Sequence, residues 1–556
     1  MRKYRLDIII YVIFVSAGFR CYSQPDQKEY FVQPCEFICD YPFDGVNKLA
    51  VTCRVWGLLK YFHPNVTAGK LDWDQVLIDR LAKIDEAETS EQVNAELMQM
   101  IQIAGEYEVQ KDTTWNDSLN MNVNLCWLDN SFINDSIRNV LMEIASLKIE
   151  QPSYYLKPSD LNLPDFNEKD YDLELIFQFE YLRLLALFRY WNVIYYFYPY
   201  KYLMDQSWDV TLSEFIPQFM TANEVHLYHK VVNKLANKLN DGHALTSVAP
   251  LYSKAKHKYI TLIDSSTIVR TIPEESLLKR GDIILSIDGQ DIWSYRDSIA
   301  ALLPWSNIHD RDNTVNGNIY YCIMKGCILT IKREQKEYIF RENTKSIPIK
   351  TNSSTPHHLI TPDIAYVDLD ILKASDIPSM MDSLKNCMGI IFDLRNYPSN
   401  FKQWDIFCHI SLTQEYQYGL GTFVDFFHYG AFYEYECFTK CPDELWYSRN
   451  KYNGRVAVLI NEGTMSWAET LSMAFRIHEA ILIGAPTAGS NGDVVNFSLP
   501  GRITVCFSGI GFYFPDGTQT QRKGIIPDIE VYPTMDDIMA GRDEVLEAAI
   551  TYLNSN

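Results

Sequence analysis

After its first 23 residues, the sequence has no uninterrupted apolar stretch of about 20 residues, the length that a membrane-spanning helix needs. It is also short of positive charge, because 50 lysine and arginine residues stand against 71 aspartate and glutamate residues, giving a formal net charge of −21. This surplus of negative charge argues against nucleic acid or an anionic membrane surface as a partner. We therefore expect a mature protein with no integral membrane segment and no nucleic-acid partner.

Cysteine is scarce, with 12 residues in a chain of 556, which excludes a small domain built on disulfides. Two pairs, Cys35/Cys39 and Cys437/Cys441, share an i, i+4 spacing, and each could form a local bridge in an oxidising compartment. The histidines that would complete a metal site do not flank either pair. The sequence predicts neither a metal site nor a cofactor.

The N-terminus combines a basic start, an apolar stretch from Ile8 to Phe19, and a polar continuation after Ser23. This pattern is typical of a secretory signal peptide over residues 1–23, and it predicts export to the periplasm or the extracellular space. Cys21 raises a lipid anchor as a second interpretation, although Arg20 before it is not the small residue that lipoprotein processing requires.

A segment at residues 49–77 returns at residues 184–212 without a gap. Seven residues recur at a constant offset of 135: Trp56, Tyr61, Phe62, Pro64, Trp73, Asp74 and Leu77 match Trp191, Tyr196, Phe197, Pro199, Trp208, Asp209 and Leu212. Each copy has apolar residues at helical spacing up to a proline, then a second helix opened by Trp-Asp. We expect two helical repeats, at residues 30–170 and 171–250, with an irregular stretch over 108–168 in the first.

The second repeat is predicted to end in a helix over 225–239, followed by Asp241-Gly242-His243. Glycine commonly ends a helix, so His243 should lie on the loop that leaves it. From residue 255 to 345 the pattern changes to short β-like segments, among them 259–263, 283–287 and 327–331. The segment 277–289 resembles the second half of a PDZ domain, which implies peptide binding at a sheet edge through Leu278, Gly281 and Ile283.

From residue 355 to 556, apolar strands alternate with helical segments, which predicts a layered domain with a mostly parallel sheet. Ligands of such sheets bind at the carboxyl ends of the strands, where Arg395 and Ser466 fall. Ser466 and Glu469 have the S-x-x-E spacing of a capping box, which needs no chemistry. A serine between a strand and a helix is also the position of a nucleophile, with free N–H groups nearby to bind an oxyanion. Spacing alone favours the cap.

Seven short motifs follow one another at residues 241–243, 281–282, 393–396, 463–469, 484–489, 515–517 and 524–529. Their order decides between these interpretations, because it resembles the tail-specific, or C-terminal processing, family of serine proteases and within it the tricorn-like branch. The resemblance implies a multidomain α/β protein with helical N-terminal repeats, a PDZ-like β domain and a ClpP/crotonase-like catalytic domain. It also implies that Ser466 is the nucleophile and that the N–H of Trp467 contributes to the oxyanion hole.

The sequence departs from this family at three positions. The processing branch has a lysine base after the glycine of its Pro-Thr-x-Gly motif, where this chain has Ser490. Tricorn-like members use a histidine, which matches His243, and a late glutamate, where this chain has Gln521 as a possible orienting residue. The loop after Arg395, which supplies a second oxyanion donor in the family, contains Pro398, which has no N–H.

The leading hypothesis is therefore a secreted or periplasmic serine endopeptidase that cleaves extended or C-terminal polypeptide segments, with Ser466 as nucleophile and His243 as base. The alternative is a catalytically weak or inactive relative that binds peptides or apolar ligands, as the missing lysine and glutamate suggest. Hydrolysis of small esters is a third hypothesis and rests on the shared mechanism alone. The sequence does not predict the oligomeric state.

Overall fold

The computed structural model describes residues 42–108, 119–149, 153–249, 259–271, 276–342, 355–448 and 451–555. The predicted signal peptide, Cys21 and the Cys35/Cys39 pair lie outside these ranges. Within them, no α-helix has both the length and the hydrophobicity of a transmembrane segment.

The N-terminal half is largely helical. Its helices are α1 (Gly45–Phe62), α2 (Pro64–Thr67), α3 (Trp73–Glu86), α4 (Ser90–Ala104), α5 (Asp135–Ala145), α6 (Leu173–Gln178), α7 (Glu180–Phe197), α8 (Trp208–Thr221) and α9 (Val225–Asn237). Three short strands accompany them: β1 (Asn120–Met121), β2 (Leu156–Pro158) and β3 (Pro164–Phe166). As predicted, α1 and α7 end just before a proline, and α3 and α8 begin at the Trp-Asp pairs.

The two copies of the repeated segment make the same hydrogen bonds. In the first copy, the indole N–H groups of Trp56 and Trp73 each donate to the carbonyl of the other residue, both at 3.0 Å. In the second, Trp191 and Trp208 do the same at 2.8 and 3.0 Å. A tryptophan N–H that is buried needs such a partner, so the matched pairs fix the angle between the two helices of each copy.

Buried ion pairs join one copy to the other reciprocally. Arg54 of the first copy pairs with Asp209 of the second at 2.8 Å, and Arg189 of the second pairs with Asp74 of the first at 2.8 Å. The two arginines are themselves 135 residues apart, like the rest of the repeat. A buried charge is costly unless it is paired, so each copy depends on the other to satisfy its arginine.

The expectation of an irregular stretch over 108–168 is wrong for its central part, which contains α5. The Asn134 side chain caps this helix by accepting the Ile137 N–H at 3.0 Å. Ile137, Leu141 and Ile144 lie at helical spacing on its buried face. Packing of this apolar face outweighs the many polar residues around it, which had suggested a loop.

The middle of the chain forms a small β domain. Its elements are β4 (Ile260–Ile263), β5 (Ser266–Val269), β6 (Ile283–Ile287), β7 (Gln290–Asp291), α10 (Ile292–Ala300), α11 (Ile308–Met324), β8 (Ile328–Arg333) and β9 (Lys336–Arg341). The strands pair antiparallel in the order β4-β5-β6-β8-β9, and β7 pairs with β6. Asp288 and Gly289 both have positive φ, as a tight hairpin between β6 and β7 requires.

The C-terminal part is the predicted α/β domain. It contains β10 (His357–Thr361), β11 (Ile364–Asp368), α12 (Ile377–Leu384), β12 (Gly389–Asp393), α13 (Gln403–Ile410), β13 (Glu415–Val424), β14 (Ala431–Lys440), α14 (Asp443–Ser448), β15 (Arg455–Ile460), α15 (Trp467–Ile477), β16 (Ile481–Gly484), β17 (Val494–Leu499), β18 (Ile503–Ser508), β19 (Gly511–Tyr513), β20 (Ile529–Glu530), α16 (Met535–Ala540) and α17 (Glu544–Asn554). Its main sheet has the order β10-β11-β12-β15-β16-β20, and every pair except β10-β11 is parallel. The predicted mostly parallel sheet is confirmed.

This sheet is covered on both faces, as its continuous apolar strands require. Successive residues of β12 point to opposite sides: Ile390 and Phe392 pack with α12, α13 and α15, whereas Ile391 packs with α17. The parallel arrangement brings the carboxyl ends of β12 and β15 to the same edge. Arg395 and Ser466 follow these two ends.

The prediction that Cys437 and Cys441 could form a local bridge is wrong. Cys441 is bonded to Cys408, with their Cα atoms 5.6 Å apart, and Cys437 is a free, buried thiol. Cys437 lies inside β14, where residues four apart are about 13 Å from each other, beyond the reach of a disulfide. Cys126 is also disulfide-bonded.

Candidate active site

Ser466 lies between β15 and α15, at the carboxyl end of a central strand, as predicted. Its backbone has φ 57° and ψ −122°, a conformation that residues with a side chain rarely adopt. A sharp turn of this kind presents a serine hydroxyl in front of the first N–H groups of the following helix, which have no partner within the helix. The geometry is therefore more than that of an ordinary helix cap.

Hydrogen bonds to two other loops hold this turn. The Thr464 hydroxyl donates to the carbonyl of Leu394 at 3.0 Å, which ties the turn to the end of β12. The Ser466 N–H donates to the Ser490 carbonyl at 2.9 Å, and the Ala488 N–H donates to the Thr464 carbonyl at 3.0 Å. The strained serine is thus fixed between the loop after β12 and the loop after β16.

The Glu469 carboxylate is buried and accepts four hydrogen bonds from the same loops. It accepts the N–H groups of Ser466 at 3.2 Å, Gly489 at 2.8 Å and Ser490 at 3.0 Å, and the hydroxyl of Thr487. Burial raises the pKa of Glu469 to about 7, and these hydrogen bonds oppose the rise. Glu469 keeps the capping role that its spacing indicates, and it also clamps the 487–490 loop to the turn.

We expect Glu469→Ala to lower the free energy of unfolding of the catalytic domain by about 3 kcal/mol, because three buried donors, the N–H groups of Gly489 and Ser490 and the hydroxyl of Thr487, lose their acceptor together. Thermal and urea unfolding, followed by circular dichroism, would measure this loss. Glu479→Ala, at an exposed position beyond the end of α15, is the matched control and should change stability little. Equal stability of the two variants would contradict the clamp.

His243 follows α9, and the chain just after it is fixed by strand pairing with β18. The Ser247 N–H donates to the Thr504 carbonyl and the Cys506 N–H donates to the Leu245 carbonyl, both at 2.8 Å. This pairing joins the helical half of the molecule to the catalytic domain. It brings His243 beside Ser508, the last residue of β18.

A buried carboxylate lies behind the histidine. Asp241 accepts the His243 N–H at 3.0 Å, the Ser508 N–H at 2.7 Å and the Ser508 hydroxyl at 3.0 Å. Because the single Ser508 proton goes to Asp241, the Ser508 oxygen, 2.9 Å from His243 Nδ1, accepts the Nδ1–H. This tautomer leaves His243 Nε2 unprotonated, the state that a general base requires.

Burial lowers the pKa of His243, and the nearby Asp241 charge opposes this shift. Asp241 Oδ1 lies 3.9 Å from His243 Nδ1. The imidazole is therefore neutral near pH 7 and has a negative charge close by that would stabilise its protonated form. The family resemblance implied a glutamate late in the chain, where this chain has Gln521; the acid lies instead in the Asp-Gly-His motif itself, two residues before the histidine.

The two predicted orienting residues both reach this network. Gln521 Nε2 donates to Asp241 at 3.2 Å, and its Oε1 accepts the Asn491 N–H at 3.1 Å. The Ser490 hydroxyl accepts the Gly242 N–H at 3.0 Å. Gln521 therefore supports the carboxylate, and Ser490 holds the backbone next to His243.

The loop with His243 packs against the turn with Ser466. A Cβ atom added to Gly242 would lie 2.5 Å from the Ser490 hydroxyl and 3.2 Å from the Met465 methyl carbon, so only glycine fits there. His243 directly follows Gly242, and Ser466 directly follows Met465. In the described part of the chain, no hydrogen bond joins the His243 ring to Ser466 itself.

Tyr397, in the loop after Arg395, is a site residue that sequence analysis missed. Its hydroxyl interacts with the Ser466 side chain and with the Trp467 backbone N–H, the predicted oxyanion donor. The residue exposes 45% of its surface, but burial around the hydroxyl raises its pKa, and these two contacts oppose the rise. The only sequence signal was its position, next to Pro398 in a loop expected to supply a donor.

The three predicted peptide-binding residues lie in the β domain and not at this site. Leu278 is buried in the core of that domain. Gly281 has φ 85° and lies under Met539 of α16, whose sulfur would be 1.9 Å from an added Cβ. Ile283 begins β6 and is partly buried.

Comparison with known proteins finds similarity to a peptidase family and to solved structures. Residues 414–531 match the model of peptidase family S41. The structure of mature CPAF complexed with lactacystin is 13% identical, covers 69% of this chain and 100% of its own, and has a TM-score of 0.50, which indicates a common fold. The photosystem II D1 C-terminal processing protease is 14% identical over 67% of this chain and 98% of its own, with a TM-score of 0.38. The tricorn protease is 14% identical over 67% of this chain and 36% of its own, with a TM-score of 0.33. No curated protein sequence matches the chain significantly.

Proposed function

Because residues 414–531 match the model of peptidase family S41, we propose that the chain is an exported serine endopeptidase that hydrolyses extended or C-terminal segments of polypeptides. The observation that carries this proposal is the convergence of Ser466, in its strained turn, with the neutral His243 and the buried Asp241. These residues come from distant parts of the chain. The PDZ-like β domain would hold the polypeptide while the catalytic domain cleaves it.

The proposed reaction begins when His243 Nε2 takes the Ser466 hydroxyl proton and the oxygen attacks the peptide carbonyl carbon. The resulting imidazolium is stabilised by Asp241, through Ser508 and by direct charge. His243 then gives the proton to the leaving amine as the C–N bond breaks. A water molecule, deprotonated by the same histidine, hydrolyses the acyl-enzyme and frees Ser466.

The tetrahedral intermediate carries a negative oxygen that needs donors in front of the helix. The Trp467 N–H is one donor, and the Tyr397 hydroxyl, already in contact with it, is the second. A phenol with a raised pKa keeps its proton near neutral pH and can donate it. In this proposal Tyr397 replaces the backbone donor that Pro398 cannot supply.

Covalent labelling tests this function. A fluorophosphonate probe should react with Ser466 of the purified mature protein, and peptide mapping by mass spectrometry should locate the label there. Labelling should be lost in Ser466→Ala and strongly slowed in His243→Ala. The control Ser298→Ala, an exposed serine of α10, should label normally.

The alternative function predicts a different result. A protein that only binds peptides or apolar ligands would fold and yet stay unlabelled at Ser466. That result in the wild-type protein, with native circular dichroism, would overturn the proposed peptidase activity. The absence of a Ser466–His243 hydrogen bond in the described residues is the observation that favours this alternative, although catalytic contacts often tighten only when substrate binds.

A further inference from the structure

Asp493 lies close to both candidate catalytic residues without belonging to the network that joins them. It comes three residues after Ser490, whose carbonyl accepts the Ser466 N–H. Its own carbonyl accepts the N–H of Gly509 at 2.8 Å, and Gly509 directly follows Ser508, the partner of His243. The backbone of Asp493 is therefore fixed between the two halves of the site.

Three neutral groups lie near the carboxyl group of Asp493. It interacts electrostatically with the hydroxyls of Tyr397 and Tyr418 and with the thiol of Cys437. Tyr397 in turn contacts Ser466, so one tyrosine separates this carboxyl from the nucleophile. Tyr418 and Cys437 belong to β13 and β14, which form one wall beside the site.

In the ranges that the structure describes, the Asp493 side chain has neither a cation nor a hydrogen-bond donor as partner. Burial raises its pKa, and no hydrogen bond opposes the rise. By contrast, Asp241, Asp393 and Glu469, the buried acids near the site, each accept several hydrogen bonds. Asp493 is only partly buried, so the side chain of a substrate can reach its unpaired carboxyl group. An acid left in this state beside a nucleophile is one that a ligand can complete.

We propose that Asp493 binds the cationic side chain of a lysine or arginine on the acyl side of the scissile peptide bond, which makes the enzyme selective for basic residues. This inference rests on the proposed function. The incoming ammonium or guanidinium group would supply the missing charge partner and hydrogen-bond donors. The rings of Tyr397 and Tyr418 would line the aliphatic part of the side chain and stabilise the cation further.

Peptide hydrolysis tests the proposal directly. We would compare N-acetylated fluorogenic peptides that differ only in having lysine, norleucine or glutamate before the scissile bond. Wild-type kcat/KM should be at least about tenfold higher for lysine than for norleucine. In Asp493→Asn the lysine peptide should lose about tenfold while the norleucine peptide stays within about threefold, and Asp493→Lys should favour glutamate. Asp297→Asn, an exposed acid on α10, should leave all three rates unchanged.

The acetyl group distinguishes a site for a basic side chain from a site for a free N-terminal amine, because the second kind of site would require unblocked peptides. Benzamidine, a planar cation, gives a readout without hydrolysis: it should slow fluorophosphonate labelling of wild-type Ser466 and should not slow it in Asp493→Asn. Equal wild-type rates for lysine and norleucine, or a preference that appears only with free N-termini, would overturn the inference and leave the peptidase intact. If Ser466 is neither labelled nor active on any peptide, the proposed function fails and the inference fails with it.

Discussion

Asp241→Asn is expected to lower kcat/KM for peptide hydrolysis by about a thousandfold. The substitution removes the negative charge that lies 3.9 Å from His243 Nδ1 and would stabilise the imidazolium. It also turns an acceptor into a donor beside groups that donate to it now, among them the N–H and hydroxyl of Ser508. If the Ser508 proton turns toward His243, the imidazole takes the tautomer that cannot accept the Ser466 proton.

The pH profile of this variant distinguishes a catalytic effect from a structural one. Burial lowers the pKa of His243 and Asp241 raises it. Since the base must be unprotonated, wild-type activity should rise with pH through a pKa below the ordinary value of about 6.5. Without the Asp241 charge, the pKa of His243 falls further, so the acid limb of the profile should move to lower pH while the plateau drops.

A series of variants makes the test sharper. Ser508→Ala keeps the carboxylate but removes the hydroxyl that accepts the Nδ1–H, and we expect a loss of about 10- to 100-fold. Asp297→Asn is the charge-matched control. An Asp241→Asn enzyme within threefold of wild type, or with an unshifted acid limb, would contradict a role for this carboxylate in positioning and charging His243.

Much of the architecture could be predicted because it depends on local patterns. The apolar strands 364–368 and 455–460 leave little choice about a buried, parallel sheet. The repeated Trp-Asp pairs indicated where α3 and α8 begin. Ser466 was found because its neighbours in sequence form the turn that gives it its geometry.

The environment of His243 could not be predicted in the same way. Asp241 and Ser508 are 267 residues apart, and only the pairing of β18 with residues 245–247 brings them together. The sequence alone therefore does not show that Asp241 serves as this acid, and the family resemblance implied one late in the chain instead. The disulfide of Cys441 could not be predicted either. The i, i+4 spacing suggested a bridge to Cys437, but in a strand residues four apart are too far from each other for a disulfide.

Tyr397 is the residue that the sequence did not predict and that most changes the proposed mechanism. The loop after Arg395 seemed to lack an oxyanion donor because of Pro398, but the structure brings a side-chain hydroxyl to the Trp467 N–H instead. A side-chain donor is longer and more mobile than a backbone N–H, so it can accept the Trp467 N–H in the free enzyme. It can then donate to the oxyanion once substrate is bound.

Tyr397→Phe should therefore lower kcat by about a hundredfold and leave KM within a few-fold, because the lost hydrogen bond forms only in the transition state. Fluorophosphonate labelling of Ser466 should slow to a similar extent, since the phosphoryl oxygen uses the same donors. The phenyl ring keeps the packing, so the variant should unfold at the wild-type temperature. Steady-state kinetics on the lysine peptide series would measure the effect.

A faster reaction of Tyr397→Phe would show that the hydroxyl blocks the site. Because Tyr397 contacts both Ser466 and the Trp467 N–H, it could occupy the oxyanion position rather than serve it. In that case Tyr397→Phe would react faster than wild type with both peptide and probe, and the proposed donor role would be wrong. Tyr447→Phe, a tyrosine of α14 with 80% of its surface exposed, controls for the loss of a hydroxyl elsewhere. Only the donor role predicts a slower reaction at position 397 together with unchanged kinetics at position 447.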